Sequence, residues 1–243
     1  MVAAFSSALM ALPFAWGSMI QPKSFFGDSK PRAVKYNNGY IYVYGRFKDT
    51  IDLNMGNGTK YVNAYDANNY SGYLAKYDLQ GNFVWGGSLK GIKTGNPNCP
   101  APPYNEIMDM TFDASNNVYL TGYYDDSVRF ELGGTVKGLK SPCGVSEFIV
   151  KLNPGGDVLI ADHVTGMQCP TYFSGTSITL DKGNGLYTLT DFYGTGDFDF
   201  SAGQKIYNHQ IYSKFNIVVS KYNRNTMALD WSGMLVCNRT LYG

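Results

Sequence analysis

The sequence has 243 residues, and its 20 Lys and Arg nearly balance its 19 Asp and Glu, which gives a net charge of +1. This balance excludes a strong electrostatic field that would attract nucleic acid or an anionic membrane. No apolar run reaches the roughly 18 residues that a membrane-spanning helix needs. Aromatic residues make up 15% of the chain, which also holds 28 Gly, a mixture typical of short strands joined by tight turns.

The first segment, residues 1–30, allows two interpretations. Residues 1–18 are largely apolar and end in small residues, as a secretory signal does, but no Lys or Arg precedes the apolar part. The residues around Trp16 also resemble those around Trp85, and the two tryptophans lie 69 positions apart. That interval fits the repeat described next, so we predict that residues 1–30 are the tail of a preceding repeat.

One sequence pattern occurs three times along the rest of the chain. Its first half is a strand with a tyrosine, and these residues are Tyr42, Tyr119 and Tyr187, 77 and 68 positions apart. Its second half is a strand centred on a lysine, and these residues are Lys76, Lys151 and Lys221, 75 and 70 positions apart. Apolar and polar residues alternate in both halves with the period of two typical of half-buried strands.

Each copy contains two strands joined by a short turn, then a variable insertion, then a hairpin with Gly, Pro or Asn in its turn. Four strands connected as successive hairpins form one blade of a β-propeller. The sequence therefore predicts an all-β protein with four-stranded antiparallel blades at residues 31–103, 104–171 and 172–243. Closed propellers have about four to eight blades, so we predict an incomplete ring whose open edge strands are covered by other chains or further repeats.

The motifs around the repeated tyrosine and lysine resemble the SBBP repeat, a seven-bladed-propeller-like repeat of bacterial and other secreted proteins. The resemblance covers roughly residues 31–235. Gly45 and Gly122 take the position of the family's glycine, whereas Asp191 is expected to replace it in the third copy. Ile160 replaces the family's tryptophan in the second copy. The resemblance implies a secreted β-propeller repeat protein.

Cysteines and glycosylation motifs favour an oxidising compartment. The cysteines are Cys99, Cys143, Cys169 and Cys237. They allow two disulfides in three pairings, and the alternative is that they are free, buried thiols. The Asn-x-Ser/Thr motifs are at Asn57, Asn69 and Asn238. Together they predict an extracellular or cell-surface glycoprotein.

We predict no catalytic residue, cofactor or metal site. His163 and His209 are the two histidines, and we interpret them as surface or edge residues because no hydrolase or phosphate-binding motif accompanies them. Acidic residues follow the second strand of each copy, at Asp49, Asp52, Asp125, Asp126, Asp197 and Asp199. Two acids in a loop are fewer ligands than calcium needs, so a structural role in the turn is favoured and calcium binding is the alternative.

Aromatic side chains also allow two interpretations. Tyr40, Tyr42 and Tyr44 share one face of a strand, and Tyr123 and Phe192 lie in the corresponding strands. Packing between blades is the favoured role, because neighbouring sheets meet through large side chains. The other role is stacking on a sugar or holding a peptide.

The leading functional hypothesis is a non-enzymatic extracellular β-propeller segment that serves structural assembly, adhesion or protein–protein interaction, within a larger chain or a multi-subunit assembly. Partner chains would bind along the open edges and the variable loops 48–70, 91–107 and 131–147. The alternative is a propeller that binds carbohydrate or peptide through loop aromatics and Asp residues. A third hypothesis is a catalytic propeller whose site is completed by residues outside this chain.

Overall fold

The computed structural model describes residues 17, 19–23, 27–201, 203–209 and 215–236. Within these ranges the chain forms β-strands and turns, and it contains no helix. The strands are β1 (Gln21–Pro22), β2 (Asp28–Asn37), β3 (Tyr40–Lys48), β4 (Thr50–Asp52), β5 (Tyr61–Asn63), β6 (Ser71–Asp78), β7 (Phe83–Ile92), β8 (Asn105–Phe112), β9 (Val118–Glu131), β10 (Lys137–Leu152), β11 (Val158–Leu180), β12 (Gly185–Asp197), β13 (Ile206–His209), β14 (Asn216–Asn223) and β15 (Leu229–Leu235). The all-β prediction is confirmed, whereas the comparison of Trp16 with Trp85 lies outside the described residues.

The same four-stranded antiparallel meander occurs three times, and we call the three copies units 1, 2 and 3. Unit 1 has the strand order β2, β3, β6, β7, and unit 2 has β8, β9, β10 and the first part of β11. Unit 3 has the last part of β11 followed by β12, β14 and β15. The described strands do not close into a ring, so the number of blades in a complete ring stays a prediction.

The repeated tyrosine and lysine lie opposite each other on the two central strands of every unit. The cross-strand pairs are Tyr42 with Lys76, Tyr119 with Lys151, and Tyr187 with Lys221. The corresponding distances from the lysine Nζ to the ring centroid are 5.4, 5.2 and 5.9 Å. Each pair is therefore a cation–π contact that stabilises the strand register, and this contact accounts for the recurrence of both residues.

Strand β11 runs without a break from unit 2 into unit 3. Its first residues, Val158–Val164, pair with β10, and residues 172–180 pair with β12. The sequence placed a blade boundary between residues 171 and 172, and that point lies inside this strand. Units 2 and 3 therefore share one strand and have no loop between them.

Every unit also carries an extra hairpin between its second and third strands, which we call its ribbon. The ribbon is β4 with β5 in unit 1, the far ends of β9 and β10 in unit 2, and the end of β12 with β13 in unit 3. The sequence predicted loops at residues 48–70 and 131–147. That prediction is wrong in part, because ribbon strands occupy both ranges.

Each ribbon takes a third strand from the segment that precedes its unit. The facing residues are Gln21 and Asp52 for ribbon 1, Leu89 and Phe130 for ribbon 2, and Gly166 and Gly196 for ribbon 3. The last strands of units 1 and 2 therefore form hydrogen bonds both within their own unit and with the ribbon of the next unit. This double pairing fixes the position of one unit relative to the next.

Two of the apolar clusters lie between the units, in contacts that we call seams. Two further clusters contain Ile51 of ribbon 1 and Phe198 next to ribbon 3. Seam 1, between units 1 and 2, buries Tyr42, Tyr44, Leu74, Met110, Leu120 and Phe148. Seam 2, between units 2 and 3, buries Tyr119, Ile149, Ile178, Leu186 and Tyr222. Tyr42 and Tyr44 are almost fully buried in seam 1. Their burial supports the interpretation that the repeated aromatics pack between neighbouring units.

The repeated glycine allows a close approach between three strands. A Cβ added at Gly122 would lie 2.0 Å from the carbonyl oxygen of Glu106 on β8 and 2.7 Å from the ring of Phe148 on β10. In unit 3 the strand pairing gives this position to Thr190, opposite Val218, and not to Asp191 as the sequence suggested. In unit 2 the first strand bulges between the partners of Gly122 and Thr121, whereas in unit 3 it bulges between the partners of Asp191 and Thr190. Val218 is also smaller than Phe148, so the second strand of unit 3 has room for a Cβ at Thr190.

We expect Gly122→Ala to lower the free energy of unfolding by about 1 to 3 kcal/mol, because the added methyl group overpacks the contact with β8 and β10. Urea denaturation measures this change. Gly233→Ala is the matched control, because a Cβ at Gly233 meets no atom within 4 Å. Equal losses of stability in the two variants would contradict the steric explanation.

Candidate functional site

The outer face of unit 1 exposes an apolar position of its first strand. The equivalent positions of units 2 and 3 are buried in the two seams. Val34, Met110 and Ile178 occupy the same place in the first strands of units 1, 2 and 3. Met110 is 1% exposed and Ile178 is 4% exposed, but Val34 is 66% exposed. Val34 lines an apolar groove of about 450 Å³ together with Ile41 and Val43. We call the surface formed by Val34, Ile41 and Val43 the leading face.

The opposite outer face shows the same contrast. Tyr44, Thr121 and Leu189 are equivalent on the second strands of units 1, 2 and 3. Tyr44 and Thr121 are buried in seams 1 and 2, whereas Leu189 is 44% exposed. Leu189 lies with Tyr187 and Val219 around a shallow groove of about 220 Å³. We call the surface formed by Tyr187, Leu189 and Val219 the trailing face.

Two of the four candidate cysteines form a disulfide. Cys143 on β10 is bonded to Cys169 on β11, so the disulfide connects the strands where unit 2 continues into unit 3. Cys99 is a free, buried thiol whose Sγ lies 3.8 Å from the carbonyl oxygen of Gly144. Burial raises the pKa of the Cys99 thiol. Cys237 lies outside the described residues.

The candidate glycosylation sites differ in their surroundings. Asn57 is exposed in the loop of ribbon 1. Asn69 is half-buried, and its side-chain Nδ2 donates to the two carboxylate oxygens of Asp66 at 3.0 and 2.9 Å. Because a glycan is attached to that nitrogen, Asn57 is the better placed acceptor. Asn238 lies outside the described residues.

The predicted acidic residues cap turns in ribbons 1 and 3. The Oδ1 of Asp52 accepts the backbone N–H groups of Asn54 and Lys60 at 3.0 and 2.7 Å. The Oδ1 of Asp197 accepts those of Asp199 and Lys205 at 3.0 and 2.9 Å in the same pattern. These hydrogen bonds explain why the two loops resemble each other, and they support a structural role for the acids.

Asp125 and Asp126, the acids predicted in unit 2, lie beside the segment that connects units 1 and 2. Asp126 is buried and accepts the backbone N–H of Thr94 at 2.8 Å, and its carboxylate lies 3.6 Å from Lys93 Nζ. Burial raises the pKa of the neighbouring Asp125. Residues 93 and 94 therefore stay close to strand β9.

The two histidines are less exposed than the sequence predicted. His163 lies on β11, where its Nδ1 forms a hydrogen bond with the hydroxyl of Tyr124. Burial lowers the pKa of His163 to about 4, so its ring is neutral at physiological pH. His209 is buried on β13. Among the described strands β13 pairs with β12 alone, so His209 lies on an edge strand as interpreted, but its side chain is buried and not at the surface.

One carboxylate that sequence reasoning missed connects all three units. Asp109 on β8 lies 3.3 Å from Lys35 Nζ in unit 1. The same carboxylate accepts hydrogen bonds from the hydroxyl of Ser177 at 2.7 Å and from the backbone N–H of Ile178 at 3.2 Å, both in unit 3. Burial would raise the pKa of Asp109, but these donors outweigh burial and lower it. Asp109 therefore stays ionised and joins the first strands of the three units.

A second missed carboxyl group, that of Glu147, is fully buried in seam 2. Its two oxygens lie 3.0 Å from the hydroxyl of Thr121 and 2.7 Å from that of Thr190, and no cation forms an ion pair with it in the described part of the chain. Burial raises the pKa of Glu147 to about 7. A single Glu in the apolar run of β10 was the only signal of this group in the sequence.

We expect Glu147→Gln to increase stability at alkaline pH. The raised pKa means that the folded protein favours protonated Glu147, so its contribution is complete below about pH 4.5 and is lost as the pH rises through about 7. The variant removes the ionisation and should be more stable than the parent protein at pH 8.5 by up to about 3 kcal/mol. Urea denaturation between pH 5 and 8.5 measures the difference.

The control for this experiment is Glu131→Gln, which alters a partly exposed carboxylate 3.3 Å from Arg129. We expect the stability difference between Glu147→Gln and the parent protein to grow with pH, and that of the control to stay small. A constant difference for Glu147→Gln across this range would contradict the assignment.

We expect Cys143→Ser to lower the free energy of unfolding under non-reducing conditions by about 3 to 4 kcal/mol, because the disulfide closes a loop across a sequence separation of 26 residues. Peptide mapping without reductant should recover the Cys143–Cys169 crosslink. The control, Cys99→Ser, should keep that crosslink. Recovery of Cys99 in a disulfide with either residue would contradict the pairing.

Comparisons with known proteins agree with a repeat architecture. The chain is 27% identical over 167 residues to an uncharacterized WD repeat-containing protein, L264, of Acanthamoeba polyphaga mimivirus, and the match covers 62% of this chain. The chain spans 11% of that relative's length. No family matches the sequence, and no solved structure matches it. Within the described ranges there is no helix with the length and hydropathy to cross a membrane. The similarity and the three antiparallel units together indicate a propeller-like repeat β protein.

Proposed function

We propose that this chain is a non-enzymatic, propeller-like repeat segment that assembles with other protein chains outside the cell. The exposure of Val34 and Leu189 carries the proposal, because the seams bury the equivalent residues of the other units. Exposed apolar patches of this kind mark protein interaction surfaces.

The leading and trailing faces correspond to the two sides of one seam. In seam 1 the face of unit 1 with Tyr44 covers the face of unit 2 with Met110. Leu189 occupies the position of Tyr44, and Val34 occupies that of Met110. The trailing face of one copy therefore fits the leading face of a second copy, and repeated head-to-tail contacts of this type build rings or filaments.

The comparison with the mimivirus protein supports an interaction role. That protein is named for WD repeats, which form four-stranded propeller blades. Such repeats bury their apolar faces only by stacking on neighbours.

An extracellular location is supported by the Cys143–Cys169 disulfide, because stable disulfides persist in oxidising compartments. The exposed position of Asn57 on ribbon 1 offers a place where a glycan would point into solvent. A non-enzymatic role is supported by the engagement of the acidic residues in turn caps and of His163 with Tyr124.

We expect the purified chain to associate in solution, with an average mass above its 26.8 kDa that rises with concentration. Sedimentation equilibrium measures this association. Val34→Glu and Leu189→Glu should each weaken it at least about tenfold, because a charge on either face must be desolvated in the contact. Both residues are exposed, so the variants should fold.

Mixing the two variants is the sharpest form of this test. Val34→Glu keeps an intact trailing face and Leu189→Glu keeps an intact leading face, so an equal mixture should form one-to-one dimers. Leu159→Glu is the control, because Leu159 has the same 44% exposure as Leu189 but lies in unit 2, away from both faces. A monomer at all concentrations, or no pairing in the mixture, would overturn the head-to-tail assembly.

A further inference from the structure

A cavity of about 340 Å³ opens on seam 1, at the end where the turns of units 1 and 2 meet. Lys76, Tyr40, Tyr42, Asn37, Asn116 and Pro154 line it. Its polar groups come from both units, and its volume is within the range of small-ligand sites. The cavity lies between the turns of units 1 and 2, away from the leading and trailing faces.

The ammonium group of Lys76 is the only cationic group that lines this cavity. The residue is 5% exposed, and its Nζ donates to the carbonyl oxygen of Pro154 at 3.0 Å and lies 3.9 Å from the ring centroid of Tyr40. No described carboxylate lies within ion-pair distance of it, whereas Lys221 in unit 3 lies 3.2 Å from Asp230. A buried charge is costly without an opposite charge, and burial accordingly lowers the pKa of Lys76.

Tyr42 supplies a second polar group to this cavity, its hydroxyl. It is buried, and among the described residues no hydrogen-bond partner is found for it. In unit 2 the equivalent hydroxyl of Tyr119 donates to the carboxylate of Asp113 at 3.1 Å. In unit 3 the hydroxyl of Tyr187 donates to Asp181, also at 3.1 Å.

Unit 1 differs because Asn37 stands where units 2 and 3 have Asp113 and Asp181, at the end of the first strand. The Nδ2 of Asn37 donates to the Oδ1 of Asn116 in unit 2 at 3.1 Å. An amide takes the place of a carboxylate here. The tyrosine hydroxyl of unit 1 therefore lacks the carboxylate that this turn supplies to Tyr119 and Tyr187. Lys76, beside it, has no carboxylate within ion-pair distance among the described residues.

We propose that the cavity binds a carboxylate of a partner protein, with Lys76 as the counterion and Tyr42 as the hydrogen-bond donor. An Asp or Glu side chain inserted between the turns restores the acid that Asn37 replaces. Lys76 already occupies one face of the Tyr40 ring, where a sugar would otherwise stack, and this arrangement favours a peptide carboxylate over an acidic sugar. The assignment to a protein partner rests on the proposed interaction role, but the cavity and the two end faces are tested by different variants.

Binding of the probe, N-acetyl-glutamate amide, is measured from the change in the NMR signal of the Trp85 indole N–H. This group donates to Pro154 at 3.0 Å and reports on the edge of the cavity. We expect roughly millimolar binding and at least about tenfold weaker binding of N-acetyl-glutamine amide, which lacks the charge. Lys76→Met should abolish binding, and Tyr42→Phe should weaken it severalfold. Lys151→Met, at the equivalent position of unit 2, should leave it unchanged.

Asn37→Asp separates ligand binding from a purely structural role of the cavity. The variant supplies the acid from within the chain, so it should raise the thermal midpoint and prevent binding of the probe. Absence of probe binding at 100-fold the expected dissociation constant, or equal binding by Lys76→Met, would overturn the proposal. Tighter binding of glucuronate than of the glutamate probe would overturn the assignment to a protein carboxylate. We expect these variants to leave self-association through the leading and trailing faces unchanged, so the two proposals fail separately.

Discussion

The pairing of each unit's last strand with the ribbon of the following unit is the constraint on which the structure depends. Backbone hydrogen bonds on both sides of β7, and along β11, set the distance and the angle between neighbouring sheets. Once that geometry is fixed, the side chains in a seam must fill a space whose shape is set by the backbone. Stability in such a protein is the sum of unit and seam contributions.

Differences between the two seams show how the side chains adjust to this fixed space. In seam 1 the large Trp85 lies against Gly156, where φ is 93° and an added Cβ would lie 2.8 Å from the indole ring. In seam 2 Ile160 takes the place of the tryptophan, and Met227, with φ of 58°, fills the turn that faces it. A large residue on one side is matched by a small one on the other. The loss of the repeat's tryptophan in unit 2 is therefore compensated by its neighbour.

Sequence reasoning identified the strands because alternation and spacing are local properties, and the Tyr42–Lys76 type of pair follows from both. It did not identify the ribbons, because their third strand comes from a segment outside the unit. It also missed Glu147, since a buried carboxyl group is recognised only when the facing strand is known to supply Thr190. The change from Asp113 and Asp181 to Asn37 was visible in the sequence, but its meaning needed the hydroxyl of Tyr42 beside it.

The continuous strand β11 has a consequence for how such arrays change in evolution. Residues 93–104 connect units 1 and 2 through a surface segment, and surface segments accept insertions without disturbing the sheets that they join. Between units 2 and 3 the chain has no surface segment of this kind. The irregular part of β11 is confined to the register shifts between Gly166 and Thr176, where the Cys143–Cys169 disulfide holds the strand to β10. Units 2 and 3 are therefore expected to be inherited and duplicated as a pair, whereas unit 1 can diverge or acquire a new domain at its boundary.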